Sequence, residues 1–336
     1  TALASAGLGV MHTRWRGDAR RVALVQAALI ALAYAAAFWL RRRDVFTGMY
    51  VQGLLAFFTL RHISLMVTAH RSGPPALADC AAYLAFYPGI MGFFGAPEVY
   101  DEFARRNLAR PAGLQHRAAA RRIAEGVGLV VLAQAMVISV ARVEASATAL
   151  EAWACAIALF LRSALLVLGS WRLVDGAALF YGVRLRVNFT GLLTCRNPSE
   201  LWWSWRGTLT NWLVQHVYGP LGGGRRHPSF NILATFFVSF VWHAVGVPFL
   251  SPEFHPLYLA PVALWAAINT VAVLSHATLT RRQWHPVAAL LPDRVRIAGQ
   301  VVLVWALGSL NPLLLAYQGP SAERLPDLLR LLLGLR

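Results

Sequence analysis

The sequence predicts an all-α fold, a polytopic integral membrane bundle of about eight to ten spans with interfacial helices between them. Three observations carry this. The 336 residues are 57% hydrophobic and only 14% charged, where a soluble domain carries about 25% charged residues. Mean hydropathy is +0.52, and several windows reach the roughly 20 apolar residues needed to cross a bilayer. The third is the placement of charge. The net charge is +16, with no lysine and 31 basic residues that are all arginine. These arginines fall in short clusters between apolar runs, as positive-inside loops do. That distribution makes the lipid bilayer the expected partner and argues against nucleic acid, whose binders gather their charge on one face.

The elements follow in order. Arg14, Arg16, Arg20 and Arg21 precede a first span at 22–40, which Arg41, Arg42 and Arg43 close. Residues 45–69 are apolar but contain Arg61 and His62, which predicts a broken span or two short ones. Ser72-Gly73-Pro74-Pro75 is a turn. The span expected at 76–95 is loosened by Pro88, Gly89, Gly92 and Gly95. A basic amphipathic loop is expected at 101–122, with Arg105, Arg106, Arg110, Arg117, Arg121 and Arg122 against Asp101 and Glu102. Cleaner spans lie at 123–141 and 150–169. Residues 171–196 are too polar to span and are expected in the interface or packed inside the bundle. Spans at 230–250, 257–279 and 295–317 complete the set, and Leu325–Arg336 forms an amphipathic tail.

Arginine sets the expected orientation. The connections at 101–122, 184–206, 225–226 and 281–296 are basic and belong on the cytoplasmic side of the inner membrane. Those at 142–151 and 251–256 are arginine-poor and belong on the other side. The chain reads as one membrane-embedded domain over 1–336. It has scaffold spans at 22–170, a catalytic core segment at 171–250, and C-terminal spans and tail at 251–336. The pattern of a signal peptide is not seen. Cys80, Cys155 and Cys195 are scattered, which predicts neither a disulfide framework nor a metal site.

Two segments can carry chemistry. Asn197-Pro198-Ser199-Glu200 is a helix start, with Asn as cap, Pro in the first turn and Glu reaching back. The helix is expected to run to Tyr218 and stop at Gly219-Pro220. Trp202, Trp205, Leu209, Trp212 and Val217 form a broad apolar side. Ser204, Thr208, Asn211 and Gln215 form a polar stripe, and Arg206 is also present. By composition this is an interfacial helix with a tryptophan belt.

In the next span Asn231, Thr235, Ser239 and His243 recur every four residues, which places them on one slowly rotating stripe. His243 lies about 13 residues into the span, about 20 Å along its axis. An ionisable group at that depth is costly and points to function. An imidazole, with an ordinary pKa near 6.5, suits general base work on a hydroxyl substrate near neutral pH. Other chemistries fail on spacing: there is no His-x-x-x-His, His-x-x-His-His or His-x-x-x-x-Asp, no Gly-x-Ser-x-Gly, no P-loop and no His-Glu-x-x-His.

Five motifs, taken together in this order, resemble the membrane-bound O-acyltransferases. They are DGAALFYGVRLRVNF (175–189), SELWWSW (199–205), WLVQHVYGPLGG (212–223), NILATF (231–236) and VWHAVG (241–246). The match covers about 75 residues well and the flanking spans in character only. The resemblance implies a multi-helix fold with a tunnel through the membrane. It gives the intramembrane catalytic role to His243 and matches Asn231 to the Asn upstream of that helix. One position departs from the pattern. Members usually carry His, or Asn or Asp in eukaryotic branches, after the second Trp of the Trp element, and here Arg206 stands there. Arginine cannot act as a base at neutral pH, but it binds phosphates and oxyanions. The usual Arg-Asp-Tyr after Trp-Leu is likewise replaced by Val214-Gln215-His216.

The resemblance implies an enzyme that moves an acyl group from a thioester to a hydroxyl. The thioester, acyl-CoA or an acyl carrier protein, is a co-substrate docking on the basic side, and no bound cofactor is expected. The expected acceptor is a cell-surface polysaccharide, with glycan machinery as partner. His243 is the expected base and Arg206 its catalytic companion. Trp202, Trp205, Asn211, Asn231, Thr235, Ser239 and Trp242 are expected to contact substrate, and Asn211 shares with Arg206 the role of steadying an oxyanion. Two alternatives stand beside this reading. A lipid or sterol alcohol as acceptor is favoured by the short chain without large soluble loops. A non-catalytic acyl-handling or scaffold subunit is favoured by Arg206.

Overall fold

The structure, a computed structural model, describes residues 45–73, 75–85, 98–109, 113–246, 255–281, 292–317 and 319–335, with isolated positions between 28 and 39. Most of the span expected at 22–40, the second half of that at 76–95, and the end of that at 230–250 lie outside the described residues. Among the described residues the chain is helical and has no strand. It divides into two compact units, residues 1–125 with 171–186, and residues 126–170 with 187–336.

In the first unit, α1 (Val45–Ser72) is one continuous helix, not the broken span that Arg61 and His62 predict. Arg61 is buried and keeps the helix whole because its charge is answered. Its guanidinium donates to the Tyr83 carbonyl at 3.1 Å and lies 5.5 Å from the Tyr83 ring. Tyr83 belongs to α2 (Leu77–Ala85). A short α3 (Tyr100–Phe103) continues as a π-helical turn, Ala104–Leu108. Leu65, Tyr83, Leu84, Tyr100 and Phe103 form the apolar core of this unit. Glu98, fully buried, accepts from the Arg106 guanidinium and from the Arg186 backbone N–H.

The basic loop expected at 101–122 is largely helical. From residue 116 onward it is the first two turns of α4 (His116–Ala135). Two of its arginines are paired near that start: Arg121 and Arg122 with Glu125, and Arg122 also with Asp175. After α5 (Val140–Glu144), helix α6 runs from Ala149 to Phe180. The semi-polar stretch from 171 therefore begins as packed helix, the second of its two expected placements, with Trp171, Val174 and Ala178 buried. Close packing explains the extension. A Cβ on Gly169 would come 2.9 Å from the Gly126 carbonyl oxygen, and one on Gly176 would come 2.9 Å from that of Ala119. Small residues at helix interfaces let backbones approach this closely in a membrane.

The second unit carries α7 (Pro198–Ser204), α8 (Gly207–Leu213) with a π-helical turn at Val214–Tyr218, α9 (Pro228–Gly246), α10 (Ala260–Arg281), α11 (Asp293–Ala316) and α12 (Leu325–Leu332). Four stretches among the described residues are long and apolar enough to cross a bilayer: His116–Glu144, Ala149–Phe180, Pro256–Thr280 and Asp293–Ala316. They coincide with the spans expected at 123–141, 150–169, 257–279 and 295–317. The tail is docked. Leu325, Leu328, Leu331 and Leu332 of α12 are buried with Val143, Ala152, Trp265 and Leu313. Glu144 accepts from the Tyr317 hydroxyl at 2.5 Å and from Arg324 at 3.1 Å. The turn at Pro256–Leu259 packs on Gly319–Arg324. Glu144 and the Pro256–Leu259 turn thus meet the same C-terminal segment.

Candidate active site

The cap at Asn197 forms as the sequence predicts. Its side-chain oxygen accepts from the Glu200 N–H at 2.9 Å, and the Glu200 carboxylate reaches back to the Arg196 N–H at 2.7 Å. The helix does not run to Tyr218. It breaks at Trp205 and Arg206, because Trp205 is extended and Arg206 is left-handed, with φ 51° and ψ 53°. The stripe of Ser204, Thr208, Asn211 and Gln215 is thus not one helical face. A left-handed non-glycine residue costs about 1–2 kcal/mol. Here Asn188 holds the joint from outside. Its carbonyl accepts from the Gly207 N–H at 2.7 Å, and its side-chain oxygen accepts from the Thr208 N–H at 3.1 Å and hydroxyl at 2.6 Å. The first turn of α8 finds its hydrogen-bond partners there.

The tryptophan belt is also corrected. Among the Trp residues of this segment Trp203 is exposed, Trp212 is buried, and Trp202 and Trp205 are half-buried. Trp205 packs beside Phe160 and Phe189, with ring centroids 6.2 and 6.0 Å away. Trp202 instead faces Phe236 of α9 at 5.4 Å and Trp265 of α10 at 5.8 Å, both edge-on. The Thr210 hydroxyl donates to the Trp202 carbonyl at 2.7 Å, which ties α8 back onto α7.

Helix α9 has the two faces that its periodicity predicts. Phe230, Leu233, Phe237 and Val241 are exposed, while Asn231 and Ser239 on the opposite face are buried. The stripe is largely hydrogen-bonded within its own chain segment. Asn231 donates its amide to the Gly223 and Arg226 carbonyls at 2.8 and 2.6 Å, closing the glycine turn onto the helix. The Thr235 hydroxyl donates to the Asn231 carbonyl at 2.7 Å. His243 Nδ1 lies 2.7 Å from the Ser239 carbonyl oxygen. A carbonyl only accepts, so in the neutral ring Nδ1 carries the hydrogen and Nε2 keeps the lone pair. Among the described residues Nε2 makes no hydrogen bond. His243 lies three residues before the end of α9, about 22 Å along the axis from Pro228.

Three aromatic rings converge at this end: His243 lies 4.5 Å from Trp265, and Trp265 meets Trp202. The structure therefore brings together His243, Ser239, Trp265 and Trp202, and Arg206 stands at the joint that follows the helix of Trp202. Asn231 and Thr235 serve the glycine turn and the start of α9, and Trp205 serves another core. Trp242 is half-buried, and as the residue before His243 it leaves α9 about 100° around the axis from the imidazole. Asn211 is buried on α8 and accepts from Gln215 at 3.3 Å. Val214, Gln215 and His216, which replace the usual Arg-Asp-Tyr, form the π-helical turn, with His216 against Trp212 at 4.8 Å. No cluster of ligating side chains fit for a metal occurs among the described residues.

Periodicity does not mark Asn188, Trp265, Asn269 or Asn311. Trp265 Nε1–H donates to the Asn311 side-chain oxygen at 2.6 Å, and the same oxygen accepts from Asn269 at 2.9 Å. The available signal was a lone asparagine inside each of the apolar runs at 257–279 and 295–317.

Known proteins similar to this chain are O-acetyltransferases by name. The chain is 27% identical over 118 residues to the peptidoglycan O-acetyltransferase of Helicobacter pylori, covering 33% of this chain and 19% of that protein. It is 25% identical over 228 residues to the probable alginate O-acetylase AlgI of Pseudomonas syringae pv. tomato, covering 64% and 43%. Against the probable alginate O-acetylase AlgI of Azotobacter vinelandii it is 23% identical over 248 residues, covering 70% and 48%. The chain spans less than half the length of these curated relatives. The profile of the MBOAT family matches residues 23–270, most of the chain. With that match, and with the all-helical architecture and the polar stripe ending at His243, the chain belongs to the membrane-bound O-acyltransferase family.

Proposed function

We propose that this chain carries the catalytic centre of an O-acyltransferase that moves an acyl group, acetyl by analogy with the named relatives, from a thioester to a hydroxyl of a cell-surface polysaccharide. The observation that carries the reading is the Nδ1–Ser239 hydrogen bond, which leaves Nε2 of His243 as a fixed base inside the membrane. The donor is acyl-CoA or an acyl carrier protein, approaching from the arginine-rich side of the inner membrane.

In the reaction, Nε2 takes the proton of the acceptor hydroxyl as its oxygen attacks the thioester carbonyl. The C–O bond forms, and negative charge develops on the carbonyl oxygen. The Arg206 guanidinium stabilises that charge, an effect worth about 3–4 kcal/mol in other acyl transfers. The intermediate collapses, the C–S bond breaks, and the imidazolium returns its proton to the departing sulfur.

His243→Ala in a deletion strain tests this. The expected result is O-acetyl content of the surface polysaccharide at the deletion level, with the protein still extracted as a folded, monodisperse species. Wild-type acetylation in that variant would refute the assignment. Acetylation lost from lipids instead of glycan would move the acceptor to a lipid alcohol.

A further inference from the structure

We propose that Trp265 is a positioning residue for the His243 imidazole, and that Asn311 and Asn269 hold it in that role. The inference rests on His243 being the base. The Nδ1–Ser239 hydrogen bond fixes one nitrogen of the ring but leaves its tilt open. The Trp265 indole supplies the second restraint, with its centroid 4.5 Å from the imidazole and the planes at 50°. The direction of the Nε2 lone pair follows from both.

The indole is itself pinned. It is 2% exposed, and its N–H is bonded across to Asn311 on α11 at 2.6 Å. Asn311 Oδ1 accepts a second hydrogen bond, from Asn269 Nδ2, which also donates to the Trp265 carbonyl at 2.8 Å. Asn311 Nδ2 donates to the Gly308 carbonyl at 3.2 Å, one turn back on its own helix. Trp202 closes the other side of the indole. Two asparagines and an indole N–H are a costly way to join two membrane helices, because apolar side chains would pack them without burying polar groups. Asn269 Oδ1, buried and without a hydrogen-bond partner among the described residues, adds to that cost. A polar network of this kind fixes one orientation of the ring it holds, which packing alone does not do.

The test uses the full chain in membrane vesicles from the expressing cells, supplied with radiolabelled acetyl-CoA. Initial rates of label entering polysaccharide give Vmax and KM per folded protein. Trp265→Phe keeps a ring and loses the N–H. It is expected to lower Vmax about tenfold, the scale of a misplaced catalytic group, with KM for acetyl-CoA within about twofold. Asn311→Leu is expected to lose the same factor. The double variant should be no slower than either single within about twofold, because both changes remove one hydrogen bond. Unchanged Vmax in both single variants overturns the proposal, and so do losses that multiply. If His243→Ala keeps the wild-type rate, the base assignment itself fails and this inference falls with it.

A measurement without substrate decides the matter where vesicles incorporate no label. Diethyl pyrocarbonate carbethoxylates a neutral imidazole nitrogen, and peptide mass reads the rate at His243. Trp265→Ala and Asn311→Leu should each raise that rate at least about fivefold, because the ring can then tilt and present its in-plane Nε2 lone pair to the reagent. Rates equal to wild type in both variants overturn the proposal.

Discussion

Asn188→Ala is the sharpest test of how the site is built. The side-chain oxygen of Asn188 accepts from both the N–H and the hydroxyl of Thr208. Asn188 is 3% exposed and Thr208 is 1% exposed, so water cannot replace the lost acceptor. An unsatisfied buried donor costs about 1–3 kcal/mol. The N–H has nowhere else to turn, whereas the hydroxyl can rotate toward a carbonyl of the preceding turn and recover part of its share. The expected loss is about 2–4 kcal/mol, or roughly 5–10 °C in the thermal midpoint of the detergent-solubilised protein. Thr208→Val removes the hydroxyl alone and should cost about 1 kcal/mol. The double variant should fall short of the sum of the two singles, since they share one hydrogen bond. The joint that presents Arg206 loosens with it, so polysaccharide acetylation should drop even below the melting range. A midpoint within about 1 °C of wild type for Asn188→Ala, or full additivity with Thr208→Val, would refute the capping argument.

Three further outcomes follow from the same structure. Arg206→Gly relieves the left-handed backbone while freeing the unfolded chain, so stability should stay within about 1 kcal/mol of wild type. Transfer should fall about a hundredfold by loss of the guanidinium, and a retained rate would remove Arg206 from the chemistry. Gly169→Leu drives a side chain into the Gly126 carbonyl and should cost about 1–3 kcal/mol or more in thermal unfolding; an unshifted midpoint would deny the close approach. Burial pushes the Cys195 thiol up, so it stays protonated at neutral pH and is a poor nucleophile. Iodoacetamide should leave it unlabelled in the native protein and label it in detergent-denatured samples. Rapid native labelling would contradict its buried bond to the Gly191 carbonyl.

The fold was legible where local rules decide it. The apolar spans follow from composition and length. The cap at Asn197 follows from its spacing to Glu200, and the two faces of α9 follow from the helical period of Asn231, Thr235, Ser239 and His243. What the sequence hid needed a partner far along the chain. Arg61 looks like a helix-breaking charge until Tyr83 supplies a carbonyl and a ring. The end of α6 looks too polar to continue until Gly169 and Gly176 are seen against the carbonyls of α4. The break at Arg206 is invisible in its own helix because the acceptor that offsets its strain is Asn188, on the preceding segment. Trp265 and Asn311 are 46 residues apart, and no periodicity connects them.

Two of these hidden features, the break at Arg206 and the Trp265–Asn311 pair, belong to the same unit as His243, and that bears on the chemistry. The family usually places a second base or amide where Arg206 stands, and an arginine cannot take that proton. In the proposed reading the base function has a different footing. The tautomer of His243 is set by Ser239 on its own helix, and its ring plane is set by Trp265, so neither depends on the residue at 206. Position 206 is then free to carry a charge. Its left-handed backbone, held by Asn188 rather than by its own helix, is the kind of local cost that persists where a site uses it. On the proposed reading, a base fixed from α9 and α10, and a cation presented from the α7–α8 joint, together meet the two needs of acyl transfer: a proton acceptor for the attacking hydroxyl and positive charge for the oxyanion.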